Sequence, residues 1–399
     1  MAETHIFFVL ALMLIAAIIG FLLSKRFKQP VSVGIIIIGI LLGPSLLGIA
    51  TYDDLVAVMA QLGSIILLFI AGLHSNLEDI YTKKNALIAF FGALIPVVGG
   101  LLTGLAFGYP LYASVFIGVT LSATCLGITS AVLKELGKIQ TPTAKAMIGA
   151  AVIDDIISLT LLSLVLSVPQ GVGVWQVIGN VLLIVLFILL MLFFGQTIVT
   201  WIVDRFNDRV LREAPKLTFV LGLSIVFLFS YLTSWLGLAP IVGAFLIGVS
   251  LAKSRAINTL LAGSEYFEIV FTSIFFIVIG IVVEVQAFLT TFWFIVSITV
   301  VAILAKLIGA GLPAYAQGFS FKDAVIIGTG MAPRGEVAFI IALNGLLLGV
   351  VTTEVYSAMV FMSFFTTVIA LVALKGLYSG EKGGRRAPEI GFVDVKVRR

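Results

Sequence analysis

Thirteen stretches of this chain are apolar for long enough to cross a lipid bilayer, and nothing else in the sequence narrows the fold so far. They run at approximately 6 to 23, 31 to 50, 55 to 73, 86 to 106, 110 to 133, 143 to 168, 174 to 203, 216 to 236, 239 to 252, 267 to 284, 289 to 314, 322 to 347 and 355 to 378. A hydrocarbon core takes about 20 consecutive apolar residues to cross as a helix. Helices are expected because an unpaired backbone amide in lipid costs several kcal/mol, and the segments lack the dyad alternation of membrane strands. Composition agrees: 61% of the residues are apolar, 11% are charged, and the mean hydropathy is +1.22, far from the makeup of soluble domains. One cysteine, Cys125, permits no internal disulfide and no multi-cysteine metal site, and neither CxxC nor HExxH occurs.

The charges give the expected topology. Met1, Ala2, Glu3, Thr4 and His5 form no basic leader and no small-residue cleavage site follows, so the first segment reads as a retained span. Lys25, Arg26 and Lys28 follow it, which puts the N-terminus outside and the first loop in the cytoplasm. Thirteen crossings then leave the C-terminus in the cytoplasm, and 22 of the 24 Lys and Arg residues fall in the odd-numbered loops, in the tail or at the segment ends that border them. The net charge of +4 therefore follows the positive-inside rule in a cell membrane and gives no reason to invoke nucleic acid. The tail, 379 to 399, is expected to lie near anionic lipid.

Two segments are interrupted near their centres. The fifth reads Thr120-Leu-Ser122-Ala-Thr124-Cys-Leu-Gly127-Ile-Thr129-Ser130, and the twelfth reads Gly328-Thr329-Gly330-Met-Ala-Pro333-Arg334-Gly335-Glu336. Proline lacks an amide donor, and runs of glycine and hydroxyl residues loosen a helix. The interruptions are seven segments apart, an odd offset, so equivalent helices enter from opposite sides. The expected fold is thus an all-α multi-pass membrane protein of about 13 transmembrane helices, with inverted-topology repeats (segments four to six matching eleven to thirteen) and two discontinuous crossing helices. Hydropathy and the breaks alone carry this repeat; residue identity does not. Segment seven is long enough to tilt as a linker.

Five charged side chains lie deep in the segments: Asp154, Asp155, Lys306, Arg334 and Glu336. Each costs at least about 2.5 to 3.5 kcal/mol at a helix centre, so each needs a partner or a function. Asp154 and Asp155 follow Gly149-Ala150-Ala151-Val152-Ile153, and neighbours on a helix point about 100° apart, so different partners are expected. The small residues allow segment five to approach, bringing backbone carbonyls and the hydroxyls of Ser122 and Thr124 near the carboxylates. Such oxygens suit a hard cation. Lys306 reads either as counter-charge to one aspartate or as a lysine snorkelling to the interface, and the protons of a coupled pair belong to the pair. Arg334 and Glu336, two apart, do not face each other on a regular helix, and are expected to neutralise helix ends at the break. His74 reads as a solvated interfacial histidine and the Gly39/Gly43 pair as helix packing.

Four stretches together resemble the second cation:proton antiporter family, and within it the sodium/proton exchangers of NapA type: Ala151-Val-Ile-Asp154-Asp155, the Thr120 to Thr129 break, Ala305-Lys306-Leu-Ile-Gly-Ala-Gly311, and Pro333-Arg334-Gly335-Glu336-Val-Ala. The resemblance covers nearly the whole chain. It implies that Asp155 is the essential cation ligand, that Asp154 pairs with Lys306, and that a sodium (or lithium) ion and protons are substrates at Asp155 and Asp154, with no cofactor. It further implies a homodimer with scaffold helices at 1–85 and 216–288, core helices at 86–173 and 289–378, a linker at 174–215 and a cytoplasmic tail at 379–399. Potassium/proton exchangers of the same fold are the alternative, although the glutathione-gated ones carry glutamine before the aspartate where this chain has Asp154.

Other classes fit less well. An intramembrane aspartyl protease needs two facing carboxylates that share a proton, which neighbours on one helix cannot easily do, so no enzyme is expected. A channel or a bile-acid-type symporter leaves a lysine opposite a double aspartate without a use.

Overall fold

The structure is a computed structural model. It describes residues 2–27, 29–74, 82–125, 129–130, 132–133, 136–167, scattered residues between 179 and 190, 191–209, 216–236 and 238–379. Parts of the fifth and seventh segments and nearly all of the tail lie outside the described residues. Among those residues there is no strand, and eight helices are long and apolar enough to cross a membrane.

The helices are α1 (Ala2–Phe27), α2 (Val31–Leu42), α3 (Asp54–Leu73), α4 (Lys83–Ala106), α5 (Leu111–Ser122), α6 (Pro142–Ser167), α7 (Gln196–Arg209), α8 (Lys216–Trp235), α9 (Pro240–Leu251), α10 (Ile257–Ile281, with a π-helical turn at Glu268–Thr272), the short α11 (Ala287–Thr290), α12 (Phe292–Ala316), α13 (Phe321–Gly330), α14 (Glu336–Leu347) and α15 (Thr353–Ser379). Their starts follow from local chemistry. Asp53, Thr82 and Ser320 each accept a hydrogen bond from the amide three residues on, which satisfies a donor the helix itself cannot. Pro30, Pro110 and Pro240 open others with a fixed φ and no amide to satisfy.

Two expected boundaries move. The second segment ends as a helix at Leu42, because Gly43-Pro44 stops it and the chain turns back through Gly48 at φ 63°. The tenth begins at Ile257, ten residues early, just after a turn in which Ser254 Oγ accepts the Ala256 amide at 3.0 Å. Asn258, Ser264, Glu265 and Glu268 had lowered the hydropathy there.

Packing divides the helices into two groups. In the first, α2 packs on α1 and α10, α3 on α9 and α10, and α8 on α9. The contacts are backbone to backbone: a Cβ on Gly39 would meet Ile277 O at 2.3 Å, and one on Gly248 would meet Phe69 O at 2.2 Å. In lipid, where burial gives helices no hydrophobic gain over the solvent, such close approach of small residues is what holds them together. Gly39 and Gly43 both face α10 of the same chain. In the second group α4 packs on α5, α6 and α12, and α12 on α13 and α15.

Inside the second group the chain repeats itself. Helices α4 and α12 run antiparallel, with Gln317 Nε2 donating to Lys84 O at 3.2 Å at one end and the Phe107 and Phe294 rings 5.2 Å apart at the other. Each ends in the same turn. Gly108 and Gly318 have φ of 81° and 93°, and the amides of Tyr109 and Phe319 close on Gly104 O and Ala314 O. Such φ values suit glycine, which has no Cβ to clash. A second matched turn carries Gly137 and Gly349, where Lys138 N closes on Leu133 O and Val350 N on Gly345 O.

Candidate ion-binding site

Both interruptions are breaks in the structure. After Ser122 the backbone turns extended at Ala123 (φ −60°, ψ 142°), and α13 and α14 are separated by the non-helical stretch 331–335. The two stretches bond to each other, as an unwound backbone inside a membrane must bond to something. The Cys125 amide donates to Pro333 O at 2.9 Å, Thr124 Oγ1 reaches Met331 O at 3.3 Å, and Thr129 Oγ1 donates to Gly330 O at 2.7 Å. Gly335 is required at this crossing, since a Cβ there would meet Cys125 Sγ at 2.4 Å.

Helix α6 passes beside the crossing and brings up the two aspartates. Asp154 is wholly buried and fully engaged: Lys306 Nζ, also wholly buried, lies 2.9 Å from Oδ1 and 2.8 Å from Oδ2, and Thr124 Oγ1 donates to Oδ2 at 2.6 Å. Lys306 therefore does not snorkel. The adjacent Asp155 points elsewhere, as the turn of the helix dictates. It is 8% exposed, and its buried Oδ1 has no partner among the described residues. Two neighbouring carboxylates thus stand in opposite conditions, one saturated and one free.

The other two charges serve the helix ends. Arg334 is 1% exposed; Nη1 donates to Met331 O and Ala332 O, both at 3.2 Å, and Nη2 to Ala302 O at 3.3 Å. Its charge meets the carbonyl end of α13, the negative pole of that half-helix. Glu336 opens α14 at the positive pole and accepts Cys125 Sγ–H at 3.2 Å. Arg334 and Glu336 make no ion pair with each other among the described residues.

Ser122 is not directed at the carboxylates. Its Oγ lies 2.7 Å from Val119 O and 2.9 Å from Ser158 Oγ, so it ties α5 to α6. His74 closes α3 with Nδ1 2.9 Å from Ile70 O and is exposed. Ser158, Cys125, Thr129 and the carbonyl of Met331 were not singled out from sequence. Ser158 was legible as the residue one helical turn beyond Asp154; the other three act through the crossing geometry, which no local pattern encodes.

A scan against protein-family models matches residues 11–378 to the sodium/hydrogen exchanger, transmembrane, family. Among curated proteins the chain is 35% identical over 343 residues to the probable Na(+)/H(+) antiporter GerT of Bacillus cereus, covering 85% of this chain and 90% of that one. It is 33% identical to the Na(+)/H(+)-K(+) antiporter GerN of Bacillus cereus (96% and 99% covered) and 34% identical to a Na(+)/H(+) antiporter of Enterococcus hirae (92% and 96%). Among solved structures it matches the sodium proton antiporter MjNhaP1 of Methanocaldococcus jannaschii with a TM-score of 0.72 at 15% identity, covering 95% of this chain and 98% of that one, which speaks to the fold. With two broken helices crossing beside a buried carboxylate pair, and with a family model matched over most of its length, the chain belongs to the sodium/hydrogen exchanger family.

Proposed function

We propose that this protein exchanges sodium (or lithium) for protons, with Asp155 as the group for which cation and proton compete. The observation that carries the proposal is the free Oδ1 of Asp155, an unpartnered acidic oxygen at the centre of a membrane domain, beside an Asp154 whose oxygens are both taken. A buried carboxylate left alone is expensive, and either a bound cation or a proton relieves the cost. Mutual exclusion of the two at one oxygen pair gives exchange. The helix ends and carbonyls at the crossing are the surroundings such a cation needs.

In this reading the second helix group is the core, which carries the neutralised site across. The first group is the scaffold, which pairs with a second copy to make a homodimer in the cell membrane. The basic helix ends face the cytoplasm and the N-terminus lies outside. The Lys306–Asp154 pair adjusts the proton count. Lys306 gives up its proton when the cation is held, so about two protons move per cation and exchange is electrogenic. The backbone-tight helix contacts of the first group support a rigid scaffold, and the antiparallel repeat around the crossing supports alternating access.

Reconstituted vesicles test this. Sodium and lithium added to a vesicle with an acidic interior should raise the internal pH, and Asp155→Asn should not respond. Exchange whose rate ignores an imposed membrane potential would remove the electrogenic part. Potassium belongs in the same assay, because GerN is named for potassium as well as sodium; proton movement with potassium alone would move the substrate assignment.

A further inference from the structure

The two helix groups do not meet everywhere. A cavity of about 610 Å³ lies between α2 of the first group and α15 of the second, running along α2 from Val33 to the stretch Val285 to Leu289 at the end of the bundle opposite the basic residues. Val33 and Ile37 form one wall, and Phe361, Phe364 and Phe365 the other, while Gln286, just before α11, and Leu289, within it, are exposed at the mouth. Among the described residues of the lining, Gln286 is the one polar residue. Each wall packs mainly within its own group: α2 on α10 through Gly39 and Gly280, and α15 on α12 and α14, the first turn of α15 also bonding across through Tyr356 Oη to Ile279 O at 2.9 Å and Ser357 Oγ to the Glu284 amide at 2.7 Å. Among the described residues α2 and α15 have no packed interface of their own.

The surroundings identify the occupant. Ile37 and Phe365, each 39% exposed, leave the groove open on the outer surface of two apolar helices, of which α15 is long enough to cross a membrane. Its mouth lies beside an aromatic row, Phe288, Phe292 and the largely exposed Trp293, with neighbouring centroids 5.9 and 5.5 Å apart. Tryptophan, apolar in body with one polar N–H, collects at the level of the lipid headgroups. Phe288 continues the row inward, 5.3 Å from Phe361. The groove thus begins at headgroup depth and runs toward the bilayer centre between apolar walls.

We propose that this seam binds one acyl chain of a membrane phospholipid, from the leaflet opposite the basic face, with the glycerol region at Gln286. Protein interiors are close-packed, and a seam of this size between two bodies needs a filler that deforms as the walls shift. A flexible acyl chain does so where a side chain fixed to either wall cannot. If the two groups slide during exchange, a step that rests on the function proposed above, the chain is the material they slide on.

The binding claim is tested without transport. The full-length protein is reconstituted in phosphatidylethanolamine and phosphatidylglycerol vesicles containing a phosphatidylglycerol with a photoreactive diazirine in one tail, and adducts are mapped by mass spectrometry. Labels should fall several times more densely on Ile37 and Phe361 to Phe365 than on Phe8 and Leu22, lipid-exposed residues of α1. Ile37→Trp, which fills the groove, should cut that labelling roughly tenfold, the effect of displacing a methylene or two from an apolar site. Phe365→Ala, which widens it, should retain the label, and this second variant keeps the test meaningful if the tryptophan disturbs folding. Labelling no denser than on α1 would overturn the proposal. So would efficient disulfide formation between copies through Phe365→Cys, because a second chain would then cover the seam.

Discussion

The two repeats of the second helix group share their glycine turns and a helix break each, but almost none of their chemistry. Counted back from the matched turns at Gly108 and Gly318, Lys306 of α12 stands where α4 has Pro96. Counted forward from Gly137 and Gly349, Asp154 and Asp155 of α6 stand where α15 has Thr366 and Thr367. Thr367 is buried like its acidic counterpart, but its Oγ1 donates to Arg334 O at 2.9 Å and so stitches α15 to the crossing. The fold supplies two symmetric places beside the crossing, and the sequence charges one of them. The lesson is a division of labour: symmetry builds the broken helices and their opposed ends, and its violation leaves one buried lysine–aspartate pair and, beside it, one acid whose buried oxygen has no partner among the described residues.

The comparison is broken most severely at Asp155. Asparagine there removes the charge while keeping the shape, and sodium-driven proton movement should fall at least about hundredfold, since the polar group that justified its burial no longer competes for a cation. Purified protein of unchanged thermal stability would show that the loss is chemical. Lys306→Gln comes next. It leaves Asp154 buried without its cation, so folding stability should drop by about 3 to 5 kcal/mol, read as a lower unfolding temperature in detergent. Lys306→Gln combined with Asp154→Asn should recover much of that loss.

Acidification is a milder perturbation with a definite sign. Protons and sodium compete for one carboxylate, so lowering pH at fixed sodium should raise the sodium concentration for half-maximal exchange, and excess sodium should restore the rate. An acid inhibition that sodium cannot reverse would place the titrating group outside the site. The matched glycines sharpen the comparison from the structural side. Gly108→Ala and Gly318→Ala should each cost about 1 kcal/mol or somewhat more, because alanine is strained at positive φ, and near-equal losses are expected if the turns are equivalent. Smallest of all is Thr367→Val, which removes one hydrogen bond worth about 1 kcal/mol and should leave exchange close to normal.

Much of this was legible beforehand, for identifiable reasons. Apolar run length reports directly on the lipid solvent, so the long apolar helices among the described residues could be read from composition, as could the short α9. The helix breaks were equally plain at Pro333 and at the run from Thr120 to Ser130, because glycine, proline and hydroxyl residues act locally. The site was legible as a list of five costly charges. The residues alone left open which aspartate meets Lys306; the resemblance named Asp154, and the structure pairs the two at 2.8 and 2.9 Å. Ser122 looked as suitable a ligand as Thr124, and only the direction of the chain after Ala123 turns one hydroxyl to Asp154 and the other to Ser158. The repeat too left a residue-level trace, Ala106-Phe-Gly108-Tyr109 against Ala316-Gln-Gly318-Phe319, but so short a match gains meaning only once both glycines are found at positive φ.

The most direct test of the shared-carboxylate claim is the proton released when sodium binds. Sodium chloride is added to purified, weakly buffered protein and the pH is followed, with choline chloride as the control. The wild type should release protons on sodium addition and none on choline, Asp155→Asn should release none on either, and Thr367→Val should behave as the wild type. Full sodium-dependent proton release from Asp155→Asn would contradict the assignment and move the competing site elsewhere in the protein.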